Sequence, residues 1–100
     1  MTDDVLENCR FFVSYTGVKL PVRLVNPLEE KDLKNRNTFI RAQFDEQERL
    51  VYFEKVVYAH VEMWHRYAYH ANGAVKQAEI SMDDDLTVLS FDENGAPVVE

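Results

Sequence analysis

Alternation of apolar and polar positions is the strongest signal in the chain. In VEMWHRYAY, the odd positions Val61, Met63, His65, Tyr67 and Tyr69 fall on one side and Glu62, Trp64, Arg66 and Ala68 on the other. A period of two places successive side chains on opposite faces of a strand, so this segment is expected to lie in a sheet with one face inward. The segments TFIRAQF, RLVYFEKVVY, AVKQAEISM and LTVLSF are likewise rich in Val, Ile, Tyr, Phe and Thr, and none contains proline or an internal glycine. Upstream, CRFFVSYT and VKLPVRLV flank Gly17 and read as one further hairpin. Pro21 has no N–H to donate, which places the second of these strands at a sheet edge.

Turn signals divide the segments. FDENG at 91–95 and YHANG at 69–73 are two copies of one phrase, an aromatic followed three residues later by Asn-Gly. An Asn-Gly pair reverses a chain between antiparallel strands because glycine takes a left-handed conformation without steric cost, so Asn72-Gly73 and Asn94-Gly95 are assigned as structural turns. A third copy, Phe44-Asp45-Glu46-Gln47-Glu48, puts Glu48 at the glycine position. Strain at that position, or a different loop, is the expectation there. Ala59-His60 and Asp83-Asp84-Asp85 are read as the return turns at the opposite end. Asn26-Pro27-Leu28-Glu29 has the form of a capping box with proline at the first helical position, leading into a short helix that ends near Asn35.

Together these features predict one mainly β domain over residues 1–100: a single curled antiparallel meander of about seven strands with one short helix. Its parts are a loosely ordered N-terminus at 1–8, a first hairpin at 9–25, a helix and connection at 26–36, and a repeat meander at 38–99. A flat single layer would leave too many aromatic rings in water.

Charge changes the picture of partners. The net charge is −7, and its excess lies in residues 51–100, where nine acids face only Lys55, Arg66 and Lys76. Such a surface repels phosphate backbones and anionic lipid, so neither nucleic acid nor membrane is expected as a partner, and a basic protein surface is. The single Cys9 fits a reducing compartment, and acids stand where a signal peptide would carry Lys or Arg; a cytoplasmic protein is expected.

Candidate chemistry is sparse. His60, His65 and His70 are evenly spaced, but residues five apart on a strand face opposite sides, so they do not converge on one ion. Met63 and His65 do share a face, and with Met82 or Cys9 from a neighbouring strand they form the one metal-binding alternative. Asp83-Asp84-Asp85 lacks the alternation of a calcium loop. No nucleophile elbow and no phosphate-cradling glycine loop occurs, and scattered carboxylates such as Glu54 and Glu62 on adjacent strands are the candidates for an acid-base pair. No cofactor is expected. Aromatic residues on the outer sheet face serve as anchors for a protein, so Trp64 and Tyr52, with Arg66 and Glu62 beside them, are the candidate binding residues. A small-ligand carrier with a pocket in the curled sheet is the remaining alternative.

The phrases FDENG and FDEQERLVYFE resemble the tyrosine-aspartate (Rhs-type) repeat of large bacterial surface and toxin-delivery proteins. YHANGAVKQAEI is similar to the YxxNG repeat of small antitoxin-like proteins. Over the whole chain, LPVRLVNPLEE followed by RAQFDEQERLVYFEKV and WHRYAYHANG looks like a family of small bacterial proteins of unknown function. The resemblance implies a hairpin-built sheet and transfers no catalytic residue. The functional expectation is a non-enzymatic module that holds a protein through a sheet face or an edge strand, antitoxin-like or immunity-like roles being cases of it.

Overall fold

Seven strands form one antiparallel sheet in the computed structural model, which describes residues 9–17 and 20–98. They are β1 (Arg10–Thr16), β2 (Arg23–Leu28), β3 (Thr38–Phe44), β4 (Leu50–Val57), β5 (His60–Tyr69), β6 (Val75–Met82) and β7 (Asp85–Ser90). Residues 1–8, expected to be loosely ordered, lie outside the described residues.

From β3 to β7 each strand pairs with the next, as a meander requires. The first hairpin joins by β1, which pairs with β3 through Arg10–Phe12 against Ile40–Ala42, so that β2 is left at the edge. Residues 29–37 therefore cross the end of β1 to reach β3. They do so as a 3-10 helix, Glu30–Asn35, with the Glu29 N–H donating to Asp32 Oδ2 at 3.0 Å and the Asp32 N–H to the Glu29 carbonyl at 2.9 Å.

This corrects the expected boundary at residue 26. Pro27 belongs to β2, opposite Phe12, because an edge strand does not need its N–H. Asn26 stands at φ 60° before it, and the capping role passes to Glu29. The hairpin thus runs to Leu28 rather than to residue 25.

The repeated phrase folds the same way three times. His70 and Asp92 each accept the N–H of the glycine three residues on, at 2.9 and 3.0 Å, with Gly73 and Gly95 at φ 91° and 86°. The third copy closes identically: the Glu48 N–H donates to the Asp45 carbonyl at 3.0 Å, and Glu48 adopts φ 62°. A non-glycine residue is retained there because the loop is fixed from both sides. Asp45 Oδ1 accepts the Gln47 and Arg49 amides at 2.8 and 2.9 Å, and the Glu48 carboxylate takes both its contacts from Arg10, at 2.6 and 2.8 Å. Asp92 Oδ1 repeats the Asp45 role toward Asn94 and Ala96, whereas Asn72 Oδ1 holds the Ala74 amide.

At the other end one turn is shifted by a residue and the other is a residue shorter than expected. Tyr58-Ala59, not Ala59-His60, joins β4 to β5, and Asp83-Asp84 joins β6 to β7. All four residues have φ between 47° and 70°, the conformation a two-residue hairpin loop imposes whatever its sequence.

The sheet curls strongly. Bulges interrupt the register at Gln43/Phe44, Lys55/Val56 and Ala68/Tyr69, each adding local twist. The curl brings the first hairpin over the inner face of the middle strands. Tyr15 of β1 packs 5.5 Å from the Phe53 ring and 6.4 Å from that of His65, and the Val22 N–H reaches Tyr67 Oη at 3.5 Å. Between them lies the core, with Ile40, Ala42, Phe53, Met63, Tyr67 and Ala78 all at 5 % exposure or less. The sheet stays open, with β2 and β7 as its edges.

Candidate functional site on the outer sheet face

Two cross-strand rows define the outer face. Arg41, Glu54, Trp64 and Ser81 stand opposite one another on successive strands, and Gln43, Tyr52, Arg66 and Glu79 form the neighbouring row. The alternation that sends Phe53 and His65 inward sends Tyr52, Glu54, Trp64 and Arg66 outward.

Glu54 is the anchor of the site. It is 3 % exposed although it lies on the outward side. Arg41 donates to its Oε2 through both Nε, at 2.9 Å, and Nη2, and Tyr52 Oη donates to Oε1 at 2.5 Å. A buried carboxylate persists only when its lone pairs are taken up in this way. Tyr52 is pushed well above the ordinary tyrosine range, first by burial and then by its bond to the Glu54 carboxylate. Its phenol is thereby kept as a donor.

Above this anchor sits a stack. The Trp64 and Tyr52 rings are 6.1 Å apart, and the Arg66 guanidinium lies 5.0 Å from the Trp64 centroid and 5.9 Å from that of Tyr52. Glu79 approaches Arg66 at 3.5 Å from β6, and the Arg66 side chain remains 58 % exposed. Of the four expected binding residues, the fold brings Trp64, Tyr52 and Arg66 together. Glu62 is drawn instead to Lys55, at 3.5 Å. Glu54 and Glu62 therefore have different cationic partners and do not make an acid-base pair. The burial of Glu54 escaped the sequence reading, since a glutamate at an alternating outward position reads as solvated; its one legible sign was the i,i+2 spacing to Tyr52.

The inner face carries Met63 and His65, both buried, and Met82 lies directly across from Met63 on β6. Cys9 is removed from this group: its thiol is pushed up by burial and feels Arg41 and Glu54, the residues of the outer face. His65 Nδ1 lies 2.5 Å from Tyr67 Oη, and burial holds the imidazole below its ordinary pKa. Among the described residues, no three His, Cys, Asp or Glu side chains gather where they could hold a metal ion. His60 opens β5, whereas His70 sits in the second repeated turn with Nε2 at 2.8 Å from the Phe91 carbonyl. A cleft of about 560 Å³, open to solvent, lies at the loop end of the inner face among Phe12, Val22, Leu24, Phe44 and Tyr69, with Arg23 and Arg49 at its wall.

The fold and site together define a small all-β protein, one open curled sheet with an aromatic and guanidinium patch outside. The chain belongs to the family of unknown function DUF6156, whose family model matches residues 4–100. No curated protein and no solved structure matches the chain. Among the described residues, no helix is long and apolar enough to cross a membrane.

Proposed function

We propose that the protein is a non-enzymatic binding module of the cytoplasm that docks a protein partner on the outer face of β4–β6. The observation that carries this reading is the Arg66 guanidinium stacked on Trp64 and Tyr52 above the buried Glu54 carboxylate and its half-buried partner Arg41. Trp, Tyr and Arg are the residue types that dominate binding energy at interfaces, and here Tyr52 is fixed beneath them by its bond to the buried Glu54 carboxylate. The acidic balance favours a basic partner, and an antitoxin-like or immunity-like role in a bacterial cell is one case of it.

The test is affinity capture from lysate with the wild type, Trp64→Ala and Arg66→Ala side by side. A specific protein retained by the wild type and lost from both variants, with unchanged circular dichroism, is the expected result. Equal capture by all three ends the proposal.

A second reading is supported by Met82 standing in register with Met63, one step along the sheet from His65. Two thioethers and an imidazole on one face suit Cu(I). Native mass spectrometry during Cu(I) titration decides it. Occupancy at roughly micromolar metal that is lost in Met63→Leu supports a site, and its absence removes one.

A further inference from the structure

The two edges of the sheet are not equivalent. β2 is closed to further pairing, because Pro27 has no N–H and Asn26 at φ 60° breaks the extended backbone beside it. β7 carries neither device. Its residues Asp85–Leu89 are all exposed, including Leu86 at 57 %, Val88 at 48 % and Leu89 at 38 %.

The phase of the β6–β7 ladder says which of its groups point outward. The Phe91 N–H donates to the Lys76 carbonyl at 2.9 Å, so this pair is a hydrogen-bonded one. Bonded pairs alternate along an antiparallel ladder, which turns Asp85, Thr87 and Leu89 toward β6. The N–H and C=O of Leu86 and Val88 therefore point away from the sheet, and among the described residues no strand lies beyond them. At the end of the edge the chain has already begun to add a strand to itself. Pro97 bridges to Phe91 and the Val98 N–H donates to the Ser90 carbonyl at 2.9 Å, leaving Leu86–Leu89 as the open stretch.

Side-chain surfaces flank this stretch on both sides. On the inner side, Leu89 and Phe91 share a groove with Leu20 and Pro21 of the first hairpin and with Val75, a space of about 630 Å³. On the outer side, Leu86 and Val88 continue the two rows of the docking face, opposite Ser81 and Glu79. Charge brackets the stretch. Asp83, Asp84 and Asp85 precede it, Asp92 and Glu93 follow it, and Lys76 is the one base between residues 75 and 98.

We infer that the β7 edge receives an extended segment of another protein, apolar at alternate positions and carrying Lys or Arg at both ends. The segment adds as a strand beside Leu86–Leu89, its main chain bonding to Leu86 and Val88 and its apolar side chains entering the groove and the outer rows. Basic ends meet the acids at both ends of β7. A second copy is the wrong occupant: antiparallel self-pairing would set each aspartate triad against the other chain's Asp92 and Glu93, like charge against like. This inference names the partner chemistry of the proposed docking module and rests on that reading.

The probe is an acetylated, amidated peptide Lys-Lys-Thr-Val-Thr-Val-Thr-Lys-Lys, compared with a version ending in glutamates and one N-methylated at alternate residues. Saturable binding of the lysine peptide at roughly 10–500 μM, weakened at least about tenfold by glutamate ends and abolished by N-methylation, is expected. Amide exchange followed by NMR should slow at Leu86 and Val88 on binding. Val88→Pro removes an outward N–H and no bond to β6, so it should fold and lose the peptide. Absence of saturation at about 1 mM, or binding indifferent to N-methylation, overturns the inference. So does a sedimenting dimer in which the Leu86 and Val88 amides are protected without peptide. If the peptide fails while the lysate partner still depends on Trp64, the docking face stands and the edge does not; if the peptide binds while Trp64→Ala captures as well as the wild type, the reverse holds.

Discussion

Tyr67 Oη stands 2.5 Å from Nδ1 of His65, two residues back on the same strand and the same buried face. The Val22 N–H donates to that oxygen at 3.5 Å, so the one phenol ties the imidazole of β5 to the first hairpin. Tyr67, pushed up to about 12 by burial, stays protonated across the physiological range.

The pair makes stability pH-dependent with a definite sign. Burial lowers the folded-state pKa of His65 below 6.5, so the unfolded chain binds the extra proton first as pH falls. This contribution is complete above about pH 6.5 and is lost as pH drops from there toward the folded pKa. Urea titrations should show a falling midpoint over that window in the wild type and a flatter profile in His65→Gln. Tyr67→Phe, which strands Nδ1 inside the core, should cost about 1–3 kcal/mol.

Arg41→Ala leaves the Glu54 carboxylate buried with only Tyr52 beside it. Destabilisation of roughly 3 kcal/mol in chemical denaturation is expected. The double variant Arg41→Met with Glu54→Leu should recover most of that loss, because no uncompensated charge remains. Spectrophotometric titration supplies a separate readout: the Tyr52 phenol titrates above its ordinary range in the wild type and moves down in Glu54→Gln.

The three repeated loops separate backbone strain from contact. A Cβ at Gly73 or Gly95 meets nothing within 4 Å, so Gly73→Ala and Gly95→Ala should each cost only the left-handed backbone penalty, about 1–2 kcal/mol. Glu48→Gly removes that same penalty and gives up an exposed ion pair to Arg10, worth under about 1 kcal/mol. A small net gain in melting temperature is the expected outcome.

Tyr58 and Ala59 occupy a two-residue loop that favours Asn-Gly. Tyr58→Asn with Ala59→Gly should stabilise the protein by about 1–2 kcal/mol, read as a higher denaturation midpoint. Tyr58 is 68 % exposed, so little packing is lost in the exchange.

Local pattern carried the strands and most turns. The alternation in VEMWHRYAY assigned every residue of β5 from Met63 to Ala68 to its face, and the Asn-Gly pairs marked their loops because glycine there answers a backbone need. Signals failed where tertiary context overrode them. Tyr58-Ala59 has no turn chemistry of its own; its strained conformation is imposed by the β4–β5 register on either side. Pro27 follows a capping residue as a helix start would, yet the open edge of β1 captures it as a strand. Nothing local reveals that β1, and not β2, pairs with β3, since both strands of a hairpin offer an edge. On the site, Trp64, Tyr52 and Arg66 were legible as outward positions on adjacent strands. The burial of Glu54 was not, because it arises from Arg41, thirteen residues away and one strand over.

The aromatics that open the three loops lie 25 and 22 residues apart, each interval spanning one out-and-back pair of strands. Every pair bonds to its predecessor through neighbouring residues alone, and His70 and Asn72 already clasp the next loop at Phe91 and Glu93. An architecture of this kind can lengthen at its β7 margin: one more copied unit would pair with β7 as β7 pairs with β6, along the rows that Leu86 and Val88 continue, with the central core undisturbed.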